Sequence, residues 1–412
     1  MAEAIHTGTL SCCIEEKLKM AQNKFFHRSN DTAMANIVSA VVFCIFSFVY
    51  LYFYQDDLLT MEQHVLSNGL TQYNRLIGAI LLTGLLCILQ IIIDALTKKC
   101  IKYPAMNYFP SALLLAILTD ISPNIDQGYS FGKWEWLAPI IIILYIMAAY
   151  VSASMLGNND GPERKSQAQI IWENLMIMAI SMTFICATAN TNRAFHDRIR
   201  IENLIAQDKF NEALKVKGNE NDADSSTTML RAYALSKTGQ LAEKLFEYDI
   251  CGGSDALLPN GKTTKCLLYS DTLIFRHVAE PMKQKCRAMT FLRWMKKHGY
   301  AKKTLEDYLL CGYLMDRDLD SFAKELAKDK ELNHKKLPQA YREALLLYNH
   351  VRSTPIISYK NEVMEADYID LQTILKTTPD EKSKKYLARK SYGNTYWYYY
   401  LYGDGSKNDK EQ

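Results

Sequence analysis

Residues 34–54, with the sequence MANIVSAVVFCIFSFVYLYFY, decide the fold of the amino-terminal half of this chain. None of these residues is charged, and apart from tyrosines the polar side chains are only Asn36, Ser39 and Ser47. About 20 such residues in a helix cross the hydrocarbon core of a bilayer. A core helix of a water-soluble protein would instead show a polar face at helical period. The stretch therefore predicts a membrane-spanning helix.

Four further apolar runs lie before residue 190. With the first, they predict membrane-spanning helices at residues 34–54, 76–97, 105–121, 136–156 and 170–189. The run at 105–121 is short and contains Asn107 and Pro110, so a re-entrant segment and only four crossings remain an alternative.

The basic residues between the apolar runs favour five crossings. Basic loops stay on the cytoplasmic side of a membrane. With four crossings, the basic segment 98–102 and the pair Arg164–Lys165 would lie on opposite sides; with five, they lie on the same side. Five crossings place the amino terminus in the cytoplasm and the carboxyl-terminal half outside it.

Composition describes a chain of two unlike halves. The 412 residues are 49% hydrophobic and 23% charged, which excludes a disordered or collagen-like chain. The net charge of +3 argues against a dedicated nucleic-acid-binding protein, which needs a basic face. We expect a cytoplasmic segment at 1–33, a transmembrane domain at 34–190, a helical domain at 191–404 and a polar tail at 405–412.

The second half carries short amphipathic segments with apolar residues at helical spacing. Breaks near Gln207, Gly239, Glu280 and Asp316 are about 32, 41 and 36 residues apart, close to the roughly 34-residue period of tetratricopeptide hairpins. The full tetratricopeptide signature is missing. The sequence therefore predicts an all-α fold, in which a bundle of about five transmembrane helices precedes a tetratricopeptide-like solenoid.

Several stretches resemble an uncharacterised family of Bacteroidota multi-pass inner-membrane proteins. They are residues 63–69 with Tyr73 and Asn74, residues 108–116, 234–239 and 316–320, and the run 337–348. The resemblance implies a bacterial inner (cytoplasmic) membrane protein with several spans and a tetratricopeptide-like carboxyl-terminal domain. The orientation predicted from the basic loops places this domain in the periplasm. It supplies no catalytic residues.

Among the polar residues inside the predicted spans, three are functional candidates, namely Asp94, Glu173 and Asn174. An ionisable residue inside a membrane is by default a functional candidate, for example in proton relay or transport. Both carboxylates are predicted near the cytoplasmic face, so solvation there, or a salt bridge from Asp94 to Lys98, is the competing interpretation.

Two groups of residues are candidate binding surfaces. His64, Asn68 and Tyr73 lie in the first outer loop, where they bind a headgroup or a partner, or merely pack on the helices. Tyr396, Trp397 and Tyr399 belong to the densest aromatic stretch, at 392–402, which either binds a partner or caps the helical domain.

The cysteines of the outer half leave two possibilities. Cys251 and Cys266 bracket a turn-rich insertion, and an oxidising compartment would permit a disulfide between them. Buried free cysteine is the competing interpretation. No motif for a metal, a cofactor or a catalytic nucleophile is present, so neither a cofactor nor an enzymatic activity is expected.

These observations predict an integral membrane protein whose helical-repeat domain binds another envelope protein or polymer outside the cytoplasmic membrane. The lipid bilayer is its other partner, and nucleic acid is not expected. The alternative is a small transporter or membrane-embedded enzyme that uses Asp94, Glu173 and the His64 loop.

Overall fold

The structure is a computed structural model that describes residues 33–97, 103–128, 131–157, 166–216, 224–280, 286–328 and 337–403. Within these ranges the chain is helical, with a single isolated β-bridge between Ala279 and Ala301 and no β-strand. The prediction of an all-α protein is confirmed. The predicted amino-terminal segment 1–33, apart from Ala33, and the tail 405–412 lie outside the described residues.

The chain divides into two compact units, residues 1–191 and 192–412. The first unit is called the membrane unit here. Its helices are α1 (Ala33–Tyr54), α2 (Asp56–Leu66), α3 (Arg75–Thr97), α4 (Phe109–Thr119), α5 (Trp134–Gly157) and α6 (Gln167–Thr188). A 3₁₀ turn, Pro104–Tyr108, leads into α4.

Four of these helices, α1, α3, α5 and α6, are long and apolar enough to cross a membrane. Their outward faces are apolar and uncovered: Ile143, Ile146 and Tyr150 on α5 are 63%, 59% and 75% exposed. Exposed apolar surface on this scale marks a lipid or protein contact. The surface of the unit is therefore suited to a membrane. The 3₁₀ turn and α4, in the place of the fifth predicted span, together form only a shorter apolar helix, Pro104–Thr119. The predicted count of five spans is thus not confirmed.

The short helix α4 is the buried centre of the membrane unit. Ala112, Leu115 and Ala116 are at most 1% exposed, and α4 packs against α3, α5 and α6. Small side chains let helix backbones approach closely in a membrane. Ser111 on α4 accordingly reaches the backbone of α3, where its hydroxyl donates to the Leu86 carbonyl at 3.0 Å.

Polar contacts at both ends show that α4 and α6 run in the same direction. At the first end, the Ala105 amide donates to Asn174 Oδ1 at 2.9 Å. At the other end, the Asn190 amide donates to the Thr119 carbonyl at 3.3 Å. Helix α5 starts at this second end, where Trp134 Nε1 donates to Asp120 Oδ2 at 2.8 Å. The turn and α4 therefore lie alongside the chain from Asn174 to Asn190 and extend over the same length of the membrane unit.

The second unit is called the helical unit here. Its helices are α7 (Arg193–Ala206), α8 (Phe210–Ala213), α9 (Ser225–Lys237), α10 (Leu241–Lys244), α11 (Asp271–Val278), α12 (Ala288–Lys297), α13 (Leu305–Met315), α14 (Leu319–Leu326), α15 (Gln339–Val351), α16 (Glu362–Thr377), α17 (Glu381–Tyr392) and α18 (Tyr396–Tyr402). One continuous apolar core runs through them.

Tight turns with a left-handed residue end several of these helices. Asp208, Gly239, Gly299 and Arg317 have φ values of 58°, 69°, 75° and 59°. Such a residue closes a helix with hydrogen bonds back to its last turn. After Gly239, for example, the amide of the next residue, Gln240, donates to the Leu235 carbonyl at 2.8 Å. Three of these turns fall at the sequence breaks predicted near Gln207, Gly239 and Asp316.

The core of the helical unit also joins helices that are far apart in sequence. Helix α10 packs on α15, and the Gln339 amide donates to Glu243 Oε2 at 2.8 Å. In a simple solenoid each repeat contacts only its neighbours. The predicted solenoid arrangement is therefore not confirmed, because these long-range contacts add to the hairpin packing.

Candidate functional site

Two of the predicted intramembrane polar residues lie at the turn that precedes α4. Asp94 Oδ1 accepts from Asn107 Nδ2 at 2.9 Å, and Asn107 Oδ1 accepts from the Thr97 hydroxyl at 3.0 Å. Asn174 is 1% exposed and binds the same turn through the Ala105 amide. The structure thus brings Asp94 and Asn174 to one turn, whose polar groups they satisfy.

Glu173, the third residue of the predicted intramembrane set, and Lys98, the predicted salt-bridge partner of Asp94, are less informative. Glu173 is half-buried on α6. As the sequence neighbour of Asn174, it lies about 100° around the helix from that side chain and does not share its face. Lys98, the predicted partner of Asp94, lies outside the described residues.

The His64 loop does not lie near these residues. His64 and Tyr73 each pack on a glycine: a Cβ at Gly69 would lie 3.3 Å from the His64 ring, and one at Gly78 would lie 2.3 Å from the Tyr73 ring. Asn68 is exposed with φ 51° and forms the turn after α2. These residues shape the chain before α3. Asp94 is 19 residues along α3, about 28 Å at 1.5 Å per residue. A single site that combines Asp94 with His64 is not formed.

The first four residues of α18, within the aromatic stretch near the carboxyl terminus, are buried. Tyr396, Trp397 and Tyr399 are 0%, 2% and 5% exposed. Each donates its polar hydrogen to a carbonyl inside the unit, at Leu314, Glu343 and Met315, over 3.2, 2.8 and 2.7 Å. The three rings therefore offer no exposed binding surface in the structure, because α18 fills the space beside α13 and α15. In the structure these three side chains pack inside the helical unit, and a partner-binding role of the stretch stays a prediction.

A buried carboxylate holds α18 in place. Glu343 on α15 is 3% exposed, and its Oε2 accepts from the Tyr396 amide at 2.6 Å. Gln339 Nε2 donates to the other carboxylate oxygen at 2.8 Å. Burial raises the pKa of Glu343 to about 7, although the Tyr396 amide acts in the opposite direction.

A serine–histidine contact joins α9 to α11. Ser236 Oγ lies 2.8 Å from His277 Nε2, and the His277 ring packs edge-on against Tyr233. Burial, with Lys237 and Lys302, lowers the pKa of His277 to about 4. A histidine with a pKa this low is a weak general base at neutral pH. The Ser236–His277 pair is therefore better suited to holding α9 and α11 together than to activating a nucleophile.

The stability of the helical unit should show two opposing pH dependences. Glu343 has a folded pKa above its unfolded value, so its contribution is full below pH 4.5 and is lost as the pH rises through 7. His277 has a folded pKa below its unfolded value, so its contribution is full above pH 6.5 and is lost as the pH falls towards 4. The shift at Glu343 corresponds to about 3 kcal/mol.

Single variants separate the two effects. As the pH rises from 5 to 7.5, the free energy of unfolding of Glu343→Gln should increase by about 2–3 kcal/mol relative to that of the wild type. The free energy of unfolding of His277→Gln should decrease relative to that of the wild type over the same interval. Urea unfolding of the full chain, followed by tryptophan fluorescence at each pH, measures both. Parallel pH profiles for the wild type and Glu343→Gln would contradict the assignment of Glu343.

The predicted cysteine pair is not bonded. Cys251 and Cys266 are not joined by a disulfide in the structure. Burial raises the pKa of Cys266 well above its usual value, and Glu202 and Asp271 nearby add to the effect. Since the thiolate is the reactive form, Cys266 exchanges slowly in this state. Disulfide pairing stays a prediction.

An exposed surface that the sequence analysis did not single out lies at the end of α12. Trp294, His298 and Tyr300 stack there, with ring centroids 4.1 Å apart for Trp294 and His298 and 6.0 Å apart for Trp294 and Tyr300. Trp294 is 39% exposed and Tyr300 54%. We call these rings, with the exposed cations Arg293, Lys297, Lys302 and Lys303 beside them in sequence, the basic aromatic surface.

The sequence signal for this surface is the run RWMKKHGYAKK at residues 293–303, which contains five basic residues and no acidic one. It is less conspicuous than the tyrosine-rich stretch at 392–402, because its rings are fewer and lie partly in a turn. Clustered rings and cations on an exposed turn suit an anionic partner.

Comparisons with known proteins place the chain in a family without an assigned function. No curated protein and no solved structure matches the sequence. The profile of a family described as a family of unknown function, DUF6057, matches residues 123–280 and 283–403, which is more than half of the chain and covers parts of both units. This chain therefore belongs to the DUF6057 family of unknown function.

Proposed function

We propose that the protein is a multi-pass protein of the bacterial cytoplasmic membrane that presents a tetratricopeptide-like helical domain on the outer side. This domain binds an anionic envelope polymer or the acidic surface of another envelope protein. The observation that carries the proposal is the basic aromatic surface at the end of α12, where three stacked rings have four exposed cations beside them in sequence.

The direction of the helices supports an odd number of crossings. Helices α1 and α3 are antiparallel, since Cys44 contacts Cys87 and Arg75 donates to the Tyr52 carbonyl. Helix α4 runs antiparallel to α3 and parallel to α6. Helix α5, which lies between α4 and α6 in sequence, starts at the end of α4 and runs in the opposite direction. Counting α4 as a crossing gives five.

The length of the short helix is compatible with a crossing. Five 3₁₀ residues and eleven α-helical residues rise about 26 Å together, against about 30 Å for a bilayer core. Five crossings, with basic loops at 98–102 and 164–165 in the cytoplasm, put the helical unit on the outer side.

Charge and ring chemistry support an anionic partner. Aromatic and arginine side chains are enriched where proteins bind one another, and a cluster of like charges draws in an oppositely charged partner. By contrast, Asp94 and Asn174 are engaged with the turn before α4, and His64 is remote from them. The geometry therefore favours an interaction protein over a transporter that uses these residues.

Crosslinking in living cells tests both the partner and the side of the membrane. A photoreactive phenylalanine at Tyr300 should form adducts with an anionic component outside the cytoplasmic membrane. The same probe at Ile356, which is 55% exposed against 54% for Tyr300, is the matched control and should form few. Adducts confined to cytoplasmic components would contradict the proposed location.

Charge reversal tests the role of the cations. Arg293→Glu with Lys297→Glu should reduce the adducts at Tyr300 at least about tenfold, given about 1 kcal/mol for each cation near an anionic surface. The same reversal at Lys382 and Lys385, which are exposed on α17, should leave them unchanged. Equal adduct yields for the two double variants would refute the basic aromatic surface as the binding site.

A further inference from the structure

Two cysteines face each other halfway along neighbouring helices of the membrane unit. Cys44 is residue 12 of the 22 in α1, and Cys87 is residue 13 of the 23 in α3. Their sulfur atoms lie 3.2 Å apart. A disulfide bond is about 2.05 Å long, so the residues are two separate thiols in contact, and a movement of about 1 Å would bring them to bonding distance.

The pair borders the lipid-facing side of the unit. Both cysteines are half-buried. Their sequence neighbours alternate between outside and inside: Ile45 and Ile88 are 60% and 58% exposed, whereas Phe43 and Leu86 are at most 1% exposed. If α1 and α3 span the membrane, the thiols lie at mid-depth, where a lipid-soluble reagent reaches them more readily than a water-soluble one.

We propose that Cys44 and Cys87 form a redox-sensitive site that a lipid-soluble quinone oxidises to a disulfide. Two S–H bonds break and one S–S bond forms. The two thiols give up two electrons and two protons, and the quinone takes up both to become the quinol. The product joins α1 to α3 at their midpoints. The inference rests on the membrane location in the proposed function and is independent of the partner of the helical unit.

Differential alkylation of the full chain in native membranes tests the site. Carbonate extraction first establishes that the chain is embedded, so that failure of the membrane assignment is seen separately. Membranes are then treated with a short-chain benzoquinone, denatured with N-ethylmaleimide and digested without reduction. Cys186 is the matched control, because it is an exposed thiol on α6 of the same unit.

We expect a linked peptide pair containing Cys44 and Cys87, and an alkylation of both residues that falls at least about fivefold as the disulfide forms. Cys186 should keep its alkylation. In Cys44→Ser the linked pair should vanish and Cys87 should again be fully alkylated, whereas Cys186→Ser should behave as the wild type. Full alkylation of Cys44 and Cys87 after quinone overturns the proposal. Linkage that needs copper phenanthroline instead of quinone also overturns it.

Discussion

Replacing Glu202 by alanine should lower the free energy of unfolding of the helical unit by about 5 kcal/mol. Glu202 is fully buried on α7, and its Oε1 accepts from three successive amides, those of Leu267, Leu268 and Tyr269, at 2.6, 2.6 and 2.9 Å. Each buried amide left without an acceptor costs about 1–3 kcal/mol. The variant leaves all three in that state.

The effect of Glu202→Ala should reach the whole unit, because the segment that Glu202 binds leads directly into α11. One turn earlier on α7, Arg198 donates to the Lys265 carbonyl at 2.8 Å, so two side chains of one helix hold this segment. A loss of about 5 kcal/mol is a large part of the 5–15 kcal/mol that typically stabilises a domain. We therefore expect partial unfolding without denaturant.

Alkylation of Cys311 in the full chain measures this loss, because that thiol is fully buried on α13 and becomes reactive only on unfolding. The urea midpoint for its modification should fall steeply in Glu202→Ala. Glu202→Gln keeps an acceptor oxygen for the three amides and should lose less than half as much. Glu212→Ala removes an exposed carboxylate from the neighbouring α8 and should change the midpoint little. A Glu202→Ala midpoint equal to that of Glu212→Ala would show that the three amides do not depend on Glu202.

Hydropathy and helical period predicted the helices because both are local properties of the chain. The uncharged run at 34–54 and the amphipathic segments after Arg193 each determine a helix without knowledge of its neighbours. The same reasoning placed three of the four predicted breaks at left-handed turns. Asp208, Gly239 and Arg317 each belong to one of these turns, and each turn is also a local feature of the sequence.

The candidate sites were harder to predict because they depend on which face of a helix another helix covers. The sequence predicts that some of the seven rings at 392–402 stay exposed, because one packing partner would cover only one face of the helix. In the structure α18 lies beside α13 and α15, and Phe246 also contacts Tyr396 and Tyr399 at 4.9 and 5.0 Å. Helices α13 and α15 and the residue Phe246 are all separated in sequence from α18, and no periodicity within residues 392–402 indicates them.

The polar residues of the spans illustrate the same limit. The sequence identified Asp94 and Asn174 as unusual inside apolar runs, but their partners belong to the turn 104–108. The Asn107 amide and the Ala105 backbone can be assigned only once α3, α4 and α6 are packed together. Polarity alone therefore identified the residues without distinguishing a structural role from a functional one.

Replacing Trp397 by alanine should cost about 4 kcal/mol, the second large effect that we expect. The indole is 2% exposed, packs against Tyr368 at 5.3 Å and Tyr392 at 6.4 Å, and donates Nε1–H to the Glu343 carbonyl at 2.8 Å. Its removal leaves a cavity next to the carboxylate that holds the start of α18. The helix has seven residues and cannot keep its place without this packing.

Trp294→Ala is the matched control, because it makes the same chemical change at a ring that is 39% exposed. It should cost less than about 1 kcal/mol of stability, yet it should reduce adduct formation at the basic aromatic surface. Trp397→Ala should have the opposite effects. The urea midpoint for Cys311 modification should fall, and crosslinking at Tyr300 should be unchanged under conditions where the unit stays folded. If instead Trp397→Ala kept its stability and lost the adducts, α18 would be the binding surface and the assignment of the partner to α12 would fail.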